Sequence, residues 1–255
     1  MNKARNDAVL RPGATLPEGW LVYAIGDIHG RADLLGELHA LIAADAAGRK
    51  ASRRIVVHLG DYVDRGPDSR DVVSLLLETP LAGFEWVNLI GNHEEFLLRF
   101  LEDVSVGNSW LMNGGAQTLA SYGIDPLARV PGEDPMPTLQ REFRRRLPTR
   151  HLAFLRDLML SFRAGDYFFV HAGVLPGVPL DLQRRDDMLW IRDTFLESGA
   201  DHGAVVVHGH SIRRKPERRE NRIGVDTGAY ASGRLTALAL EAAKGGVSER
   251  FLQTG

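Results

Sequence analysis

The chain has no cysteine. That absence excludes disulfides, thiolate metal ligands and a cysteine nucleophile. No apolar run approaches the ~18 residues of a membrane span. The stretch Met1 to Glu18 is mostly polar and lacks the apolar centre of a signal peptide. The expectation is a cytoplasmic protein with no membrane partner. Net charge is scarce as well: 31 basic against 33 acidic side chains leave −2, which argues against a nucleic-acid binder working through bulk electrostatics. What the chain does have is apolar material, 44% of 255 residues, enough for a full core and too much for disorder. This length suits a single α/β domain, 1–255, with room for a lid.

The first hundred residues repeat one pattern three times. A strand-like run ends in glycine plus an acid or amide, and a helix follows. Trp20 to Ile25 runs into Gly26-Asp27, Ile55 to Leu59 into Gly60-Asp61, and Trp86 to Ile90 into Gly91-Asn92. Leu34, Leu35, Leu38, Leu41 and Ile42 mark one helix, with Asp33 as its cap. Val72 to Leu77 marks a second, starting near Asp68 or Ser69, and Glu94 to Leu101 a third. Strands alternating with helices imply a parallel sheet. Residues 103–160, with Asn113-Gly114-Gly115 and the proline-rich stretch Pro126 to Pro137, read as a lid insertion of short helices. Arg141, Arg144, Arg145, Arg146 and Arg150 there read as a solvated helix face. Strand signals return at Tyr167–Val170, 204–207, 223–225 and 235–240, with one helix over 187–196, so a second sheet packs on the first.

The chemistry-bearing motifs each follow a strand: Gly26-Asp27-Ile28-His29-Gly30, Gly60-Asp61-Tyr62-Val63-Asp64-Arg65-Gly66, Gly91-Asn92-His93-Glu94, His171-Ala172-Gly173 and His208-Gly209-His210. Carboxyl ends of strands are where open α/β sheets bind ligands. Asp27, His29, Asp61, Asn92, His171 and His210 therefore converge in one crevice. Oxygen and imidazole donors without thiolate suit manganese, iron or zinc. Six ligands exceed the needs of one catalytic metal and suit two that share a carboxylate, an arrangement that serves phosphoryl displacement. Of the remaining histidines, His39 reads as a surface residue on an amphipathic helix, and His58, His151 and His202 as structural. His208 and His210 lie two apart, so in a strand both face one way; His210 is taken as the ligand.

Together these motifs resemble the PPP-type metallophosphoesterases of the calcineurin-like superfamily, and their pattern is most similar to the bacterial and phage serine/threonine protein phosphatases. The resemblance runs from Val22 to Leu240. It implies a two-sheet β-sandwich flanked by helices, with one metal on Asp27 and His29, a second on Asn92, His171 and His210, and Asp61 bridging both. It also implies that His93 is the general acid oriented by Asp64, and that Arg65 binds phosphate. Arg192, in Met188-Leu189-Trp190-Ile191-Arg192, grips phosphate in the bacterial pattern; the alternative is a helix-surface arginine paired with Asp187 or Asp193. Ile90, where eukaryotic protein phosphatases carry arginine, and the loop Asp226 to Gly233 depart from the eukaryotic pattern. Ile212 stands where nuclease-type members carry a histidine.

The function expected is a dinuclear-metal phosphomonoesterase acting on a phosphorylated protein or small phosphorylated substrate by direct attack of a metal-bound hydroxide, with Mn²⁺ the first choice of cation. The alternatives are a symmetrical dinucleoside tetraphosphatase and, more remotely, a non-catalytic phosphate-binding module. The basic stretch Arg213, Arg214, Lys215, Arg218, Arg219 and Arg222 reads as a solvated loop or as an anion-attracting rim.

Overall fold

The computed structural model describes residues 13–78, 81–127 and 134–255. Residues 1–12 of the polar N-terminal stretch and 128–133 of the proline-rich stretch lie outside the described residues. Ten strands form two five-stranded sheets. The strands are β1 (Trp20–Ile25), β2 (Arg53–His58), β3 (Glu85–Asn88), β4 (Ser161–Ala164), β5 (Tyr167–Val170), β6 (Val205–His208), β7 (Glu217–Arg218), β8 (Arg222–Gly224), β9 (Thr236–Ala243) and β10 (Gly246–Gln253). The helices are α1 (Ala32–Ala47), α2 (Ser69–Leu77), α3 (Asn92–Glu102), α4 (Gly107–Trp110), α5 (Ala116–Ser121), α6 (Pro135–Arg146), α7 (Thr149–Arg156), α8 (Arg185–Trp190), α9 (Asp193–Leu196) and α10 (Ala229–Ser232).

The sheet orders are β10-β9-β1-β2-β3 and β4-β5-β6-β8-β7. β1, β2 and β3 pair in parallel, as do β5, β6 and β8. The first sheet is nonetheless mixed, because β9 and β10 add to it antiparallel. β10 escapes sequence reading because it is a half-exposed edge strand. Its Arg250 reaches Asp45 on α1, which also accepts the Tyr23 hydroxyl.

Strand alternation sorts the cores. Val22, Ala24, Ile55 and Val57 of one sheet meet Tyr167, Phe169, Val205 and Val207 of the other. The opposite faces of the same strands, Leu21, Tyr23, Ile25 and Val56, pack on α1 to α3 and on the helices of residues 104–156, led by Trp110 and Phe143. Phe168, Val170 and Val206 back onto Met188 and Phe195. Strands covered on both faces read as unbroken apolar runs. Among the described residues no helix is long and apolar enough to cross a membrane.

Several local expectations are corrected. Asp33 sits in the first turn of α1 and pairs with Arg31 instead of capping the helix. The single helix expected over 187–196 is broken into α8 and α9 at Ile191 and Arg192. Arg222 is buried and bonds the carbonyls of Leu196 and Ser198, so it does not belong to a solvated loop. The arginines of 141–150 do line an exposed face. His39 is buried instead of exposed. Its Nε2 lies 3.4 Å from His58 Nε2, and Trp86 stacks on His58. The reason is spacing: position 39 falls between Leu35 and Ile42 on the apolar stripe of α1.

Burial pushes His39 down to about 4 and His58 well below its ordinary value. In the unfolded chain both titrate near 6.5, so the unfolded state takes up protons first as pH falls. The stability from keeping them neutral is complete above about pH 6.5 and drains away towards pH 4. Thermal midpoints should therefore drop between pH 7 and pH 5, and the drop should shrink in His39→Leu. An identical pH dependence in that variant would refute the assignment.

Candidate metal centre

Both parallel strand sets present their carboxyl ends to one crevice, and the glycine-flanked loops turn there. Five non-glycine residues of the described chain have left-handed backbone: His29 (φ 45°), Asp61 (54°), Asp64 (73°), Arg65 (67°) and His210 (62°). All five are residues expected in the site. Strain of this kind, about 1–3 kcal/mol per residue, persists only where surroundings over-determine it. At Gly91 a Cβ would strike the Asp61 carboxylate, and at Gly209 it would strike that of Asp27. These two glycines let backbone reach acid. The left-handed turn at His210 also takes it out of the strand that ends at His208, so the two histidines do not share a face. His208 points instead to Phe195 and its Nδ1 lies on the Gly209 carbonyl.

Asp61 sits between two clusters whose ligand atoms lie within 4.8 Å of one another, His29–Asp61–His93 and Asp61–His171–His210. Its Oδ2 is 3.4 Å from His29 Nε2 and its Oδ1 is 3.5 Å from His171 Nε2. One carboxylate thus serves both halves. Asn92, at the start of α3, places Oδ1 2.9 Å from His171 Nε2. Asp27 stands outside the first cluster, where His93 appears in its stead. The Asp27 carboxylate accepts the His210 N–H at 3.0 Å. Burial, then the charges of Asp226 and Asp61, raise its pKa well above the carboxylate range. Asp226 is pushed up to about 6, also mainly by burial.

This donor set fits divalent cations. His171 aims Nδ1 at the Leu59 carbonyl (2.9 Å) and Nε2 at Asn92 Oδ1. A neutral imidazole has one N–H, and burial lowers the pKa of this one, so one of these contacts lacks a proton and calls for a cation. His29 Nδ1 lies 2.8 Å from the Val63 carbonyl, to which it donates, leaving Nε2 a lone pair towards Asp61. Backbone carbonyls on the far nitrogen orient metal-ligating histidines in this way. Burial pushes His29 down to about 3 and His210 to about 2, keeping both neutral donors. His210 Nε2 is buried without a partner among the described residues.

The acid–base arm lies beside it. Asp64 Oδ2 accepts His93 Nδ1–H at 2.7 Å. The same carboxylate accepts the Trp110 indole N–H (2.9 Å) and the Thr118 hydroxyl (2.6 Å). Burial opposes the imidazolium of His93, but Asp61 and the Asp64 hydrogen bond outweigh it and raise the pKa. Arg65 spans His29 Nε2 (2.9 Å) and His93 Nε2 (3.0 Å), with its guanidinium over the Tyr230 ring. Arg192 occupies the break between α8 and α9. It makes no ion pair with Asp187 or Asp193; its Nη1 donates to the His210 carbonyl at 3.4 Å.

Sequence reading missed four contributors. Glu94 is fully buried; its Oε2 accepts the N–H groups of Asp61 and Gly91, and its Oε1 those of Tyr62 and Val63. Its position in Gly-Asn-His-Glu was the available signal. Trp110 and Thr118 hold Asp64 from far along the chain, and no local pattern marks them. Tyr230, in a noted motif, sets its ring edge-on to His29 at 5.5 Å.

The model of the calcineurin-like phosphoesterase family matches residues 21–234. Serine/threonine-protein phosphatase 2 of Escherichia coli is 35% identical over 232 residues, covering 84% of this chain and 90% of that protein. The symmetrical bis(5'-nucleosyl)-tetraphosphatase of Nitrosomonas europaea is 30% identical over 154 residues, 60% of this chain and 45% of that protein. A crystal structure described provisionally as a diadenosine tetraphosphatase superposes with a TM-score of 0.61 at 24% identity, covering 97% of this chain and 98% of the other, and shares the fold.

Two substitutions should separate the site's supports. Glu94→Gln turns a donor towards backbone N–H groups, so metal binding and the unfolding midpoint should both fall. Trp110→Phe removes one hydrogen bond to Asp64; turnover should fall about tenfold with metal content retained, as suits a positioning residue of an acid–base pair. Metal loss from Trp110→Phe, measured by elemental analysis, would contradict this division.

Proposed function

Since the chain belongs to the calcineurin-like phosphoesterase family, a family with a dinuclear divalent metal centre, we propose that it is a serine/threonine protein phosphatase-type phosphomonoesterase, working as one domain with residues 103–160 as its lid. The observation that carries this is Asp61, one carboxylate facing two histidine clusters, with the Asp64–His93 pair beside it. The similarity to a bacterial protein phosphatase at 35% identity, over 84% of this chain, supports phosphoprotein as substrate. Partial similarity to a symmetrical tetraphosphatase keeps a nucleoside polyphosphate as the second reading.

Asp27, His29 and Asp61 would hold one cation, and Asp61, Asn92, His171 and His210 the other. Such a pair supplies Lewis acidity to phosphoryl oxygens and hydroxide near neutral pH. Manganese suits the imidazole content better than Mg²⁺, which prefers all-oxygen octahedra. Arg65 has no carboxylate partner among the described residues, so its guanidinium is free to turn from the histidines to two phosphate oxygens. Arg192, tied to the carbonyl of the candidate ligand His210, would add a second guanidinium for phosphate. His93 gives its Nε2 proton to the leaving oxygen, and Asp64 on Nδ1 fixes the tautomer. The absence of a membrane-crossing helix among the described residues is consistent with the cytoplasm as the place of work.

Chelator-stripped protein should lose activity on p-nitrophenyl phosphate and regain it with Mn²⁺ more than with Mg²⁺; full activity without metal would refute the proposal. His93→Asn should keep its metals and lose about 10²–10⁴-fold in kcat, less on substrates whose leaving group needs no proton. Asp61→Asn should weaken both metals. If His93→Asn loses metal, His93 is a ligand and not the acid. Arg192→Ala should raise KM for phosphomonoesters and weaken inhibition by inorganic phosphate; unchanged phosphate inhibition would remove it from the site.

A further inference from the structure

The basic stretch after His210 divides in two. Arg218 pairs with Glu249 (2.6 Å), Arg219 with Glu217 (3.1 Å), and buried Arg222 faces Glu217 at 3.6 Å. Arg213 and Arg214 have no acidic partner among the described residues, and both are exposed. They line a depression of about 340 Å³ together with Arg234, which comes from the turn before β9 and is likewise unpaired among the described residues. Some exposed arginines of this chain reach carboxylates, as Arg53 does Glu85 and Arg185 does Glu95, whereas Arg213, Arg214 and Arg234 gather on one concavity without one among the described residues. Three like charges gathered on one concavity repel each other unless an anion joins them. Guanidinium forks match phosphate oxygens two at a time.

The depression lies one loop away from the metal centre. Residues 226–230 form the partition. On one side Asp226 neighbours Asp27, and Tyr230 faces His29 and Arg65. On the other, Thr227 and Gly228 line the basic depression with Ile212. The Arg213 N–H bonds the Asp226 carbonyl at 3.0 Å, tying the two walls together.

We propose that Arg213, Arg214 and Arg234 form a second phosphate subsite, which holds a further phosphate of a substrate carrying more than one while another is hydrolysed at the metals. The subsite deepens the phosphoester-hydrolase reading and rests on it. A nucleoside polyphosphate and a multiply phosphorylated peptide present the same group, and the test distinguishes them.

The test compares wild type with Arg213→Ala/Arg214→Ala/Arg234→Ala, with Mn²⁺, on p-nitrophenyl phosphate, a peptide with one phosphoserine, a peptide with two, and diadenosine tetraphosphate. On the two single-phosphate substrates kcat/KM should stay within about twofold, since exposed charges that do not touch the reacting phosphate contribute little. On the doubly phosphorylated peptide or the tetraphosphate it should fall about tenfold or more, mainly through KM, as for lost charge-assisted hydrogen bonds. The substrate that suffers identifies the source of the second phosphate. Equal effects on all substrates, or none on any, would overturn the subsite. Calorimetric titration of inorganic tripolyphosphate into metal-free protein reads the subsite without turnover. Binding should weaken about tenfold in the triple variant, and unchanged binding would overturn it. If wild type hydrolyses none of the four substrates, the hydrolase reading fails while the titration still decides the subsite.

Discussion

A single buried carboxylate, that of Glu94, holds the turn on which the site depends. Four backbone N–H groups from Asp61, Tyr62, Val63 and Gly91 converge on its two oxygens. Burial, with the charge of Asp61, pushes its pKa up to about 7, so ionisation has to be sustained by those four donors. Hydrogen bonds to a charged group contribute about 1.5–3 kcal/mol each. That is the scale needed to hold Asp61 and its neighbours in left-handed backbone. Because Glu94 sits on α3 and the turn follows β2, the same contacts join two strand–helix units. They fix where Asp61 stands between the histidine clusters.

Asp61 then concentrates a charge problem. Asp27, Asp61 and Asp226 are buried together; the pKa of Asp27 rises through desolvation and the charges of Asp226 and Asp61, and that of Asp226 through desolvation and the charge of Asp61. His29, His171 and His210 around them are held neutral by burial and offer lone pairs. Arg65 is the cation at hand, and it contacts histidine nitrogens instead of the acids. Such a knot of acceptors is unfavourable by itself and becomes favourable around cations. Folding therefore accepts local instability at the strand ends in exchange for metal affinity.

Much of this was legible because the signals are local. Glycine next to an acid or amide after an apolar run marks a strand end; three such motifs and two histidine motifs, in order, pointed to the candidate ligands and to the two-sheet fold. What stayed hidden is long-range or depends on backbone sign. Trp110 and Thr118 reach Asp64 across 46 and 54 residues. His210 departs from the strand period because its φ is positive, which a residue name does not announce. The break at Arg192 interrupts a segment with ordinary helical composition. His39 was misjudged by residue type, although its spacing from Leu35 and Ile42 placed it inward. The basic stretch looked uniform, and only its partners separate the paired arginines from the unpaired ones.

The two halves of the chemistry rest on different layers. The candidate metal ligands hang from strand ends, so the inter-sheet core of Val22, Val57, Phe169 and Val207 sets their spacing. The acid–base arm hangs from the helices. Trp110 is clamped between Phe100 and Phe143, with ring centroids 4.9 and 5.7 Å away, and its indole meets Asp64. Gly115 is pressed so close beneath the indole that a Cβ there would strike it. The Gly114 carbonyl accepts the Arg65 N–H at 3.2 Å from the same segment. Loosening the helical layer would thus disturb Asp64, His93 and Arg65 while leaving the Asp61–His171–His210 cluster in place. The Asp64–His93 pair, supported from the helical layer, can be tuned by the packing around Trp110 and Phe143 without rebuilding the strand ends.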